Sequence, residues 1–169
     1  VLVSTGASYD ASTAGRTHQA PADVALLSAL PGWTIDVPGH ADEFERAFAQ
    51  ALAGDDRVYI RTSEETNAAR TDGKRVNVIR RGSQGAPLVL AVGPTLSPTL
   101  EATTDLDVTV AYLSRVRPFD ADGLAEAVTG TDVVLVEPYL AGTSSAEVAR
   151  ALADRPHRLL ALGVQNVEL

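Results

Sequence analysis

Apolar residues along the chain form short runs that alternate with amphipathic segments. The runs are typical of strands buried in a parallel sheet, and they lie at 1–4, 33–37, 57–62, 87–93, 107–114, 132–138 and 157–164. Segments with helical spacing lie between most of them, at 20–30, 40–54, 97–106, 121–130 and 144–154. Strands that alternate with helices predict an α/β fold with mainly parallel sheets and right-handed crossovers.

The segment 40–54 has the clearest helical pattern. Asp42 and Glu43 suit the N-terminus of a helix because acidic groups there interact favourably with the helix dipole. Gly54 suits its C-terminus. We expect one apolar face, made of Phe44, Ala47, Phe48, Ala51 and Leu52.

A change in composition divides the chain. Residues 67–85 are mostly polar and predict an exposed connector with a short edge strand at 76–80. We therefore predict two three-layer α/β/α units, an incomplete one at 1–66 and a second one at 86–169. The chain has no methionine and begins inside an apolar strand, so we expect it to be an internal fragment.

Composition narrows the function classes. The net charge of −8 argues against nucleic acid as a partner, because phosphate binding needs clustered lysine and arginine. The apolar runs are too short to span a bilayer, which argues against a membrane protein, and no signal-peptide pattern is present. Without cysteine there are no disulfides and no cysteine metal sites. These features fit a cytoplasmic protein.

His18 is the candidate catalytic residue. No dinucleotide-binding glycine motif, P-loop or nucleophile elbow is present, and His40 and His157 are expected to be solvated surface residues. His18 instead lies in a loop between a strand and a helix, where active sites of parallel α/β sheets collect. Its imidazole can exchange a proton near neutral pH, and Gln19 adds hydrogen-bonding groups. Alternatively, Thr17 and His18 only fix the loop.

The segment from "GRTHQAPADVALL" through "RVYIRTS" resembles the transketolase family, which includes the 1-deoxyxylulose-5-phosphate synthases. The pyrimidine-binding domain of that family carries a G-P-T-H-Q loop followed by a helix, a strand, an acid-rich helix and a strand that ends in arginine. Further along, "LVLAVG", "RPFD" and "VLVEPYLAG" resemble parts of the family's C-terminal domain. The resemblance covers nearly the whole chain.

This resemblance implies an enzyme that uses thiamine diphosphate and a divalent metal such as Mg²⁺, the cofactor supplying the carbanion chemistry. The chain lacks the family's diphosphate- and metal-binding domain and its activating glutamate, so we expect no activity from it alone. His18 would be catalytic. Arg16, Thr17, Gln19 and Glu64 would contact a sugar-like or keto substrate. Glu137 lies at the end of a predicted strand, and we expect it to have a structural or interface role.

Several positions depart from the family pattern. Ala14 replaces an acid, and Arg16 replaces the proline of G-P-T-H-Q. Glu64 stands where the family has a phosphate-binding arginine, Gly6 replaces a histidine when the loop is counted without gaps, and Ser28 replaces an arginine. A reversed charge at a phosphate contact costs about 4 kcal/mol by a Coulomb estimate. We therefore hypothesise an unphosphorylated or cationic acceptor. Slippage of the alignment in the loop would remove the argument for Gly6.

Three functional interpretations remain open at this point. The first is a fragment of a thiamine-diphosphate-dependent transferase that moves a two-carbon ketol or related acyl unit to a non-standard acceptor. The second is a non-catalytic homologue, or one subunit of a split enzyme, that acts by binding a partner chain. The third is an unrelated small α/β binding domain. A homodimer, or a second subunit with the diphosphate-binding domain, is the expected assembly.

Overall fold

Two β-sheets with flanking helices make up the molecule, as the α/β pattern predicts. A computed structural model of the chain describes residues 1–8, 10–15 and 18–165. In this part of the chain no helix combines the length and apolar composition that crossing a membrane requires.

The first sheet and its helices consist of β1 Leu2–Ser4, α1 Asp23–Ser28, β2 Trp33–Asp36, α2 Ala41–Ala53, β3 Arg57–Arg61 and β7 Arg115–Arg117. The strand order is β1-β3-β2-β7. The first three strands are parallel, and β7 pairs antiparallel with β2. The helix α2 covers one face with Ala47 and Ala51 against Val58 and Ile60. The other face packs towards the second sheet.

The second sheet and its helices consist of β4 Asn77–Arg80, β5 Leu88–Val92, α3 Leu96–Ala102, β6 Thr109–Leu113, α4 Ala121–Ala127, β8 Asp132–Leu140, α5 Ser145–Ala151 and β9 Arg158–Val164. The strand order is β4-β6-β5-β8-β9, and the sheet is parallel except for the edge strand β4. Leu96 of α3 packs on one face, and Leu124 of α4 and Val148 of α5 pack on the other. The core of that second face continues to Val24 and Ile35 of the first unit.

The helix α2 has Asp42 and Glu43 in its first turn, as the sequence predicts. Glu43 is in addition buried, which the sequence pattern did not indicate. It accepts hydrogen bonds from the Gly39 amide at 3.0 Å, the Thr71 amide at 2.7 Å and the Tyr112 hydroxyl at 2.5 Å. His40 is the N-cap and accepts from the Asp42 amide, and Leu52 is exposed instead of lying on the apolar face. The acid therefore ties the first unit to the second sheet.

The strand β7 is absent from the sequence prediction. It follows β6 of the second sheet and returns to pair with β2 of the first. Arg115 makes a bidentate ion pair with the buried Asp36, at 2.8 and 2.9 Å. A three-residue strand carries too little periodicity to stand out in a sequence. The pairing joins residues from the two predicted units in a single sheet, and the predicted domain boundaries remain a prediction.

The polar connector is partly buried, although its composition predicts exposure. Asn67 is buried, its amide nitrogen donates to the Gly93 carbonyl at 3.0 Å, and its amide oxygen accepts from the Ser97 amide at 3.0 Å. Gly73 is buried too, and its carbonyl accepts from the Ser114 and Arg115 amides. Polar groups of this segment therefore form hydrogen bonds that join the two units.

Gly39 provides a test of this junction. A Cβ atom on Gly39 would lie 2.2 Å from the Asn67 amide nitrogen and 2.5 Å from the Gly93 carbonyl oxygen. We expect Gly39→Ala to lower the free energy of unfolding by about 1–3 kcal/mol, because it overpacks a buried contact. Gly54→Ala is the control, since its Cβ would meet only the Gln50 carbonyl oxygen at 3.7 Å. Equal denaturant midpoints for both variants would contradict the close packing.

Candidate functional site

A cleft of about 610 Å³ opens at the carboxyl ends of β1 and β3. Each strand is followed by a loop segment that contributes to the cleft wall, which is the usual place for a site in a parallel sheet. A third wall comes from the segment before α1. The lining residues are Thr5, Gly6, Ala11, His18, Gln19, Ala20, Thr62, Ser63 and Glu64.

The structure brings three of the predicted site residues to this one cleft. His18, Gln19 and Glu64 all line it, although about 45 positions separate Gln19 from Glu64 in the chain. The other two predicted residues, Arg16 and Thr17, lie outside the described residues. Among the described lining residues there is no lysine or arginine. The functional role of each predicted residue remains a prediction.

Backbone turns shape the loop that carries His18. Gly6 and Gly15 have φ angles of 71° and 74°, in the left-handed region that glycine adopts without strain. The His18 amide donates to the Gly15 carbonyl at 3.0 Å. Ser8 and Ala20 form an isolated antiparallel bridge, which closes the loop at its base. These glycines therefore allow the chain to turn sharply after β1 and to lead back to α1.

Arg61, the last residue of β3, lies beneath the loop and is almost fully buried. Its Nε donates to Asp23 Oδ2 at 2.8 Å, in the first turn of α1. Its Nη2 donates to Ser8 Oγ at 2.7 Å and to the Ala20 carbonyl at 3.4 Å. One guanidinium thus holds both ends of the loop and the following helix.

The same guanidinium also reaches the second unit. It lies 5.6 Å from the ring centroid of Tyr139, a distance at which cation–π attraction operates. Ser8 Oγ, which accepts from Arg61, donates to the Pro138 carbonyl at 2.5 Å. Asp23 also accepts from the Tyr59 hydroxyl at 2.6 Å, and burial, together with that bond, raises the pKa of Tyr59. The candidate site therefore rests on a buried polar network shared by the two units.

Sequence reasoning gave Arg61 no role in building the site. The sequence contains one indication of this role, because Arg61 is a charged residue at the end of an apolar strand. Charged residues are seldom buried unless they are paired. Its partner Asp23 lies 38 positions away, so only the tertiary structure identifies the pair.

Asp10 is a second residue that sequence reasoning missed. Its Oδ2 accepts from the Glu64 amide at 2.8 Å, and its Oδ1 accepts from the Ser63 hydroxyl at 3.1 Å. The Ser63 oxygen in turn accepts from the Glu65 amide at 3.2 Å. The carboxylate thereby connects the loop after β1 with the turn after β3, next to the cleft.

Glu137 lies at the carboxyl end of β8 and is buried, with the hydrogen bonds that a structural residue needs. Its two carboxylate oxygens accept from the Gly142 and Ser144 amides, both at 2.9 Å. Burial raises the pKa of this carboxyl, and the hydrogen bonds from Ser144 and Gly142 partly offset that effect. Glu137 therefore fixes the turn that precedes α5.

No group of three or more histidine, cysteine, aspartate or glutamate residues is arranged to hold a metal ion within the described residues. The polar groups of the cleft are instead an imidazole, an amide, hydroxyls and a carboxylate. This set suits hydrogen bonds to hydroxyl and carbonyl groups of a small molecule.

Replacing Arg61 tests the network beneath the loop. Arg61→Met keeps an unbranched apolar stem but removes the guanidinium, and it leaves Asp23 as a buried carboxylate with one donor fewer. We expect the free energy of unfolding to fall by about 3 kcal/mol, as when one partner of a buried ion pair is removed. Amide hydrogen exchange in residues 5–8, 10–15 and 18–20 should accelerate more than exchange in β5 and β6.

Arg57→Met is the matched control, because Arg57 is exposed at the other end of the same strand. It should leave both stability and exchange close to those of the parent protein. Equal destabilisation by the two substitutions would contradict the role assigned to Arg61.

The raised pKa of Glu137 predicts a pH-dependent contribution to stability. A carboxyl whose pKa is higher in the folded state binds its proton more tightly there, so its contribution is greatest below the unfolded value of 4.5. This contribution is lost as the pH rises through the folded pKa. The unfolding free energy of the parent minus that of Glu137→Gln should therefore decrease between pH 4 and pH 7. The exposed Glu126 gives the control, Glu126→Gln, for which the difference should stay nearly flat.

Comparison with known proteins gives the family of the chain. Residues 1–68 match the family described as transketolase, pyrimidine binding domain. An uncharacterised 33.6 kDa protein in the fasciation locus of Rhodococcoides fascians is 48% identical over 98% of the chain and 54% of its own length. A 1-deoxy-D-xylulose-5-phosphate synthase of Thiobacillus denitrificans is 32% identical over 83% of the chain and 24% of its own length.

A solved structure described as a split gene transketolase, an inactive β4 tetramer, shares the fold. It superimposes with a TM-score of 0.80 at 24% identity, over 98% of this chain and 57% of that one. The chain thus spans about half the length of the fasciation-locus relative and of the split transketolase, and about a quarter of the synthase. By sequence, residues 1–68 belong to the transketolase pyrimidine-binding family, and the solved structure shows that nearly the whole chain shares the fold of a split gene transketolase.

Proposed function

We propose that the chain is part of a thiamine-diphosphate-dependent transferase that moves a two-carbon ketol or related acyl unit. The observation that carries this proposal is the convergence of His18, Gln19 and Glu64 on one cleft at the strand ends. That cleft lies in the segment that matches the pyrimidine-binding domain. In this proposal residues 1–66 belong to that domain, 67–85 connect, and 86–169 form the C-terminal domain.

The active form of the proposed enzyme needs protein beyond the 169 residues. The chain covers about half of the fasciation-locus relative and of the solved structure described as a split gene transketolase, an inactive β4 tetramer. These two lengths support a partner chain that carries the diphosphate-binding domain, with a homodimer of a longer protein as the alternative. On either assembly we expect this chain to be inactive alone and to work in the cytoplasm.

The cofactor's diphosphate and metal do not fit the described cleft. A diphosphate with its Mg²⁺ calls for cations, backbone donors and carboxylate ligands arranged around the metal. The described lining contains no lysine or arginine, and the described residues contain no metal-binding group. We therefore assign the diphosphate and metal to the partner domain, and the acceptor substrate to this cleft.

The charges at the cleft favour an acceptor without a phosphate group. Glu64 presents a carboxylate on the wall, and Asp10 places a second one beside it. At about 4 Å, two like charges in a partly screened site repel by about 4 kcal/mol. Neutral polyhydroxy aldehydes or cationic acceptors avoid this cost. Arg16, outside the described residues, is proposed as a further specificity residue, together with Thr17.

His18 is the group proposed to move a proton in this cleft. Its imidazole would exchange a proton with the carbonyl oxygen of the acceptor as the new carbon–carbon bond forms, while Gln19 hydrogen bonds to a neighbouring hydroxyl. The hydrogen-bonded loop, closed at Ser8 and Ala20, would hold the imidazole in place. Orientation by a fixed loop lowers the barrier by holding the reacting groups in place.

Substitution of His18 tests the proposed catalytic role. In the complete enzyme we expect His18→Asn to lower kcat/KM by about 10² to 10⁴, the usual loss when a general acid–base group is removed. His157→Asn is the control, because the His157 ring hydrogen bonds to the Arg155 carbonyl and His157 is not among the described residues that line the cleft. Equal activity of the His18 variant and the parent protein would refute the role.

The non-catalytic alternative is tested by cofactor binding. We expect thiamine diphosphate with Mg²⁺ to raise the Tm of the full-length protein mixed with its diphosphate-domain partner, because a ligand of the native state alone stabilises it. Ketol transfer to glyceraldehyde should exceed transfer to glyceraldehyde 3-phosphate. If the partner chain binds but neither Tm nor transfer responds, the protein acts through partner binding alone.

A further inference from the structure

The turn after β3 presents hydrogen-bond donors that converge on one point. The Glu64 amide and the Ser63 hydroxyl both donate to the carboxylate of Asp10, one to each oxygen. The Ser63 oxygen is itself oriented by the Glu65 amide. Convergent amide and hydroxyl donors form a cradle for an oxyanion.

The backbone of Asp10 is fixed in the loop, which keeps its carboxylate close to the donors of this cradle. The Asp10 amide donates to the Ala7 carbonyl at 3.0 Å, which fixes the backbone of the residue. A group held by a short loop competes at an effective concentration in the millimolar range or above. A free anion must displace it before it reaches the same donors.

We propose that Asp10 is a specificity-determining residue that excludes phosphate from this end of the cleft. Its carboxylate occupies the donors that a phosphate oxygen would need, and its charge adds to that of Glu64 on the cleft wall. The inference rests on the proposed function in one respect, namely that the cleft receives the acceptor. It deepens that function by naming the residue that selects acceptors without a phosphate group.

Asp10 acts by accepting hydrogen bonds from the Ser63 hydroxyl and the Glu64 amide, and it does not contact the reacting atoms. Asp10 itself is not among the lining residues, whereas its partners Ser63 and Glu64 are. Removal of its side chain should therefore open donors towards the cleft while the imidazole of His18 stays in place.

Titration with inorganic phosphate tests the proposal in the full-length protein, without cofactor or partner. Binding is followed by the ¹H–¹⁵N resonance of the Glu64 amide. We expect Asp10→Ala to bind phosphate at least about tenfold more tightly than the parent, because a competing charge at hydrogen-bonding distance has been removed. Asp10→Asn keeps the size of the side chain and should give a smaller gain. This second variant also guards against a folding defect of the first.

Asp55→Asn is the control for net charge, because Asp55 is exposed in the loop before β3. It changes the charge of the protein as Asp10→Asn does but should leave phosphate binding within twofold of the parent. Glu64→Gln should add to the gain of Asp10→Ala, since both remove negative charge from one place.

The outcomes separate the role of Asp10 from the proposed reaction. Unchanged phosphate binding in both Asp10 variants, or an equal gain in Asp55→Asn, overturns the proposal. Tighter binding confined to the Asp10 variants supports it, even if the complete protein shows no ketol transfer. In that case the proposed function fails and the exclusion of phosphate by Asp10 stands.

Discussion

The buried guanidinium of Arg61 is the constraint on which the candidate site depends. It bonds to Asp23, Ser8 and Ala20 and lies against the ring of Tyr139. A buried cation is tolerated only when its donors are satisfied. The loop, the first helix and the end of β8 must therefore assemble together, and the cleft forms only when they do.

A second set of polar contacts joins the two sheets away from the cleft. Glu43 accepts from the Tyr112 hydroxyl of β6 and from the Thr71 amide, and Asn67 donates to the Gly93 carbonyl after β5. Within the first sheet, Arg115 of β7 pairs with Asp36 of β2 and so anchors the segment that follows β6. These groups come from segments that look solvent-exposed or merely amphipathic in the sequence. Because each bond is directional, they fix how the sheets are placed against each other, whereas the apolar core between them is less selective.

Much of the fold was predictable, and the exceptions have a common cause. Apolar runs and helical spacing located the strands and helices other than β7, because periodicity reports which face of each element is buried. The short strand β7, the burial of Glu43 and the buried positions in the connector escaped prediction. Each depends on a partner far along the chain, which local patterns do not record. At the site, His18, Gln19 and Glu64 were predicted, whereas Asp10 and Arg61 were not.

The sequence by itself determined the α/β class, the order of the elements other than β7 and the resemblance to the transketolase family, since motif residues and periodicity are properties of neighbouring positions. It also suggested the hypothesis of a reversed charge at Glu64. Only the tertiary structure decided that Glu64 faces the same cleft as His18, and that Asp10 holds the donors beside it. The reason is physical: parallel strands bring distant segments together at their carboxyl ends, and the hydrogen bonds formed there depend on three-dimensional distance.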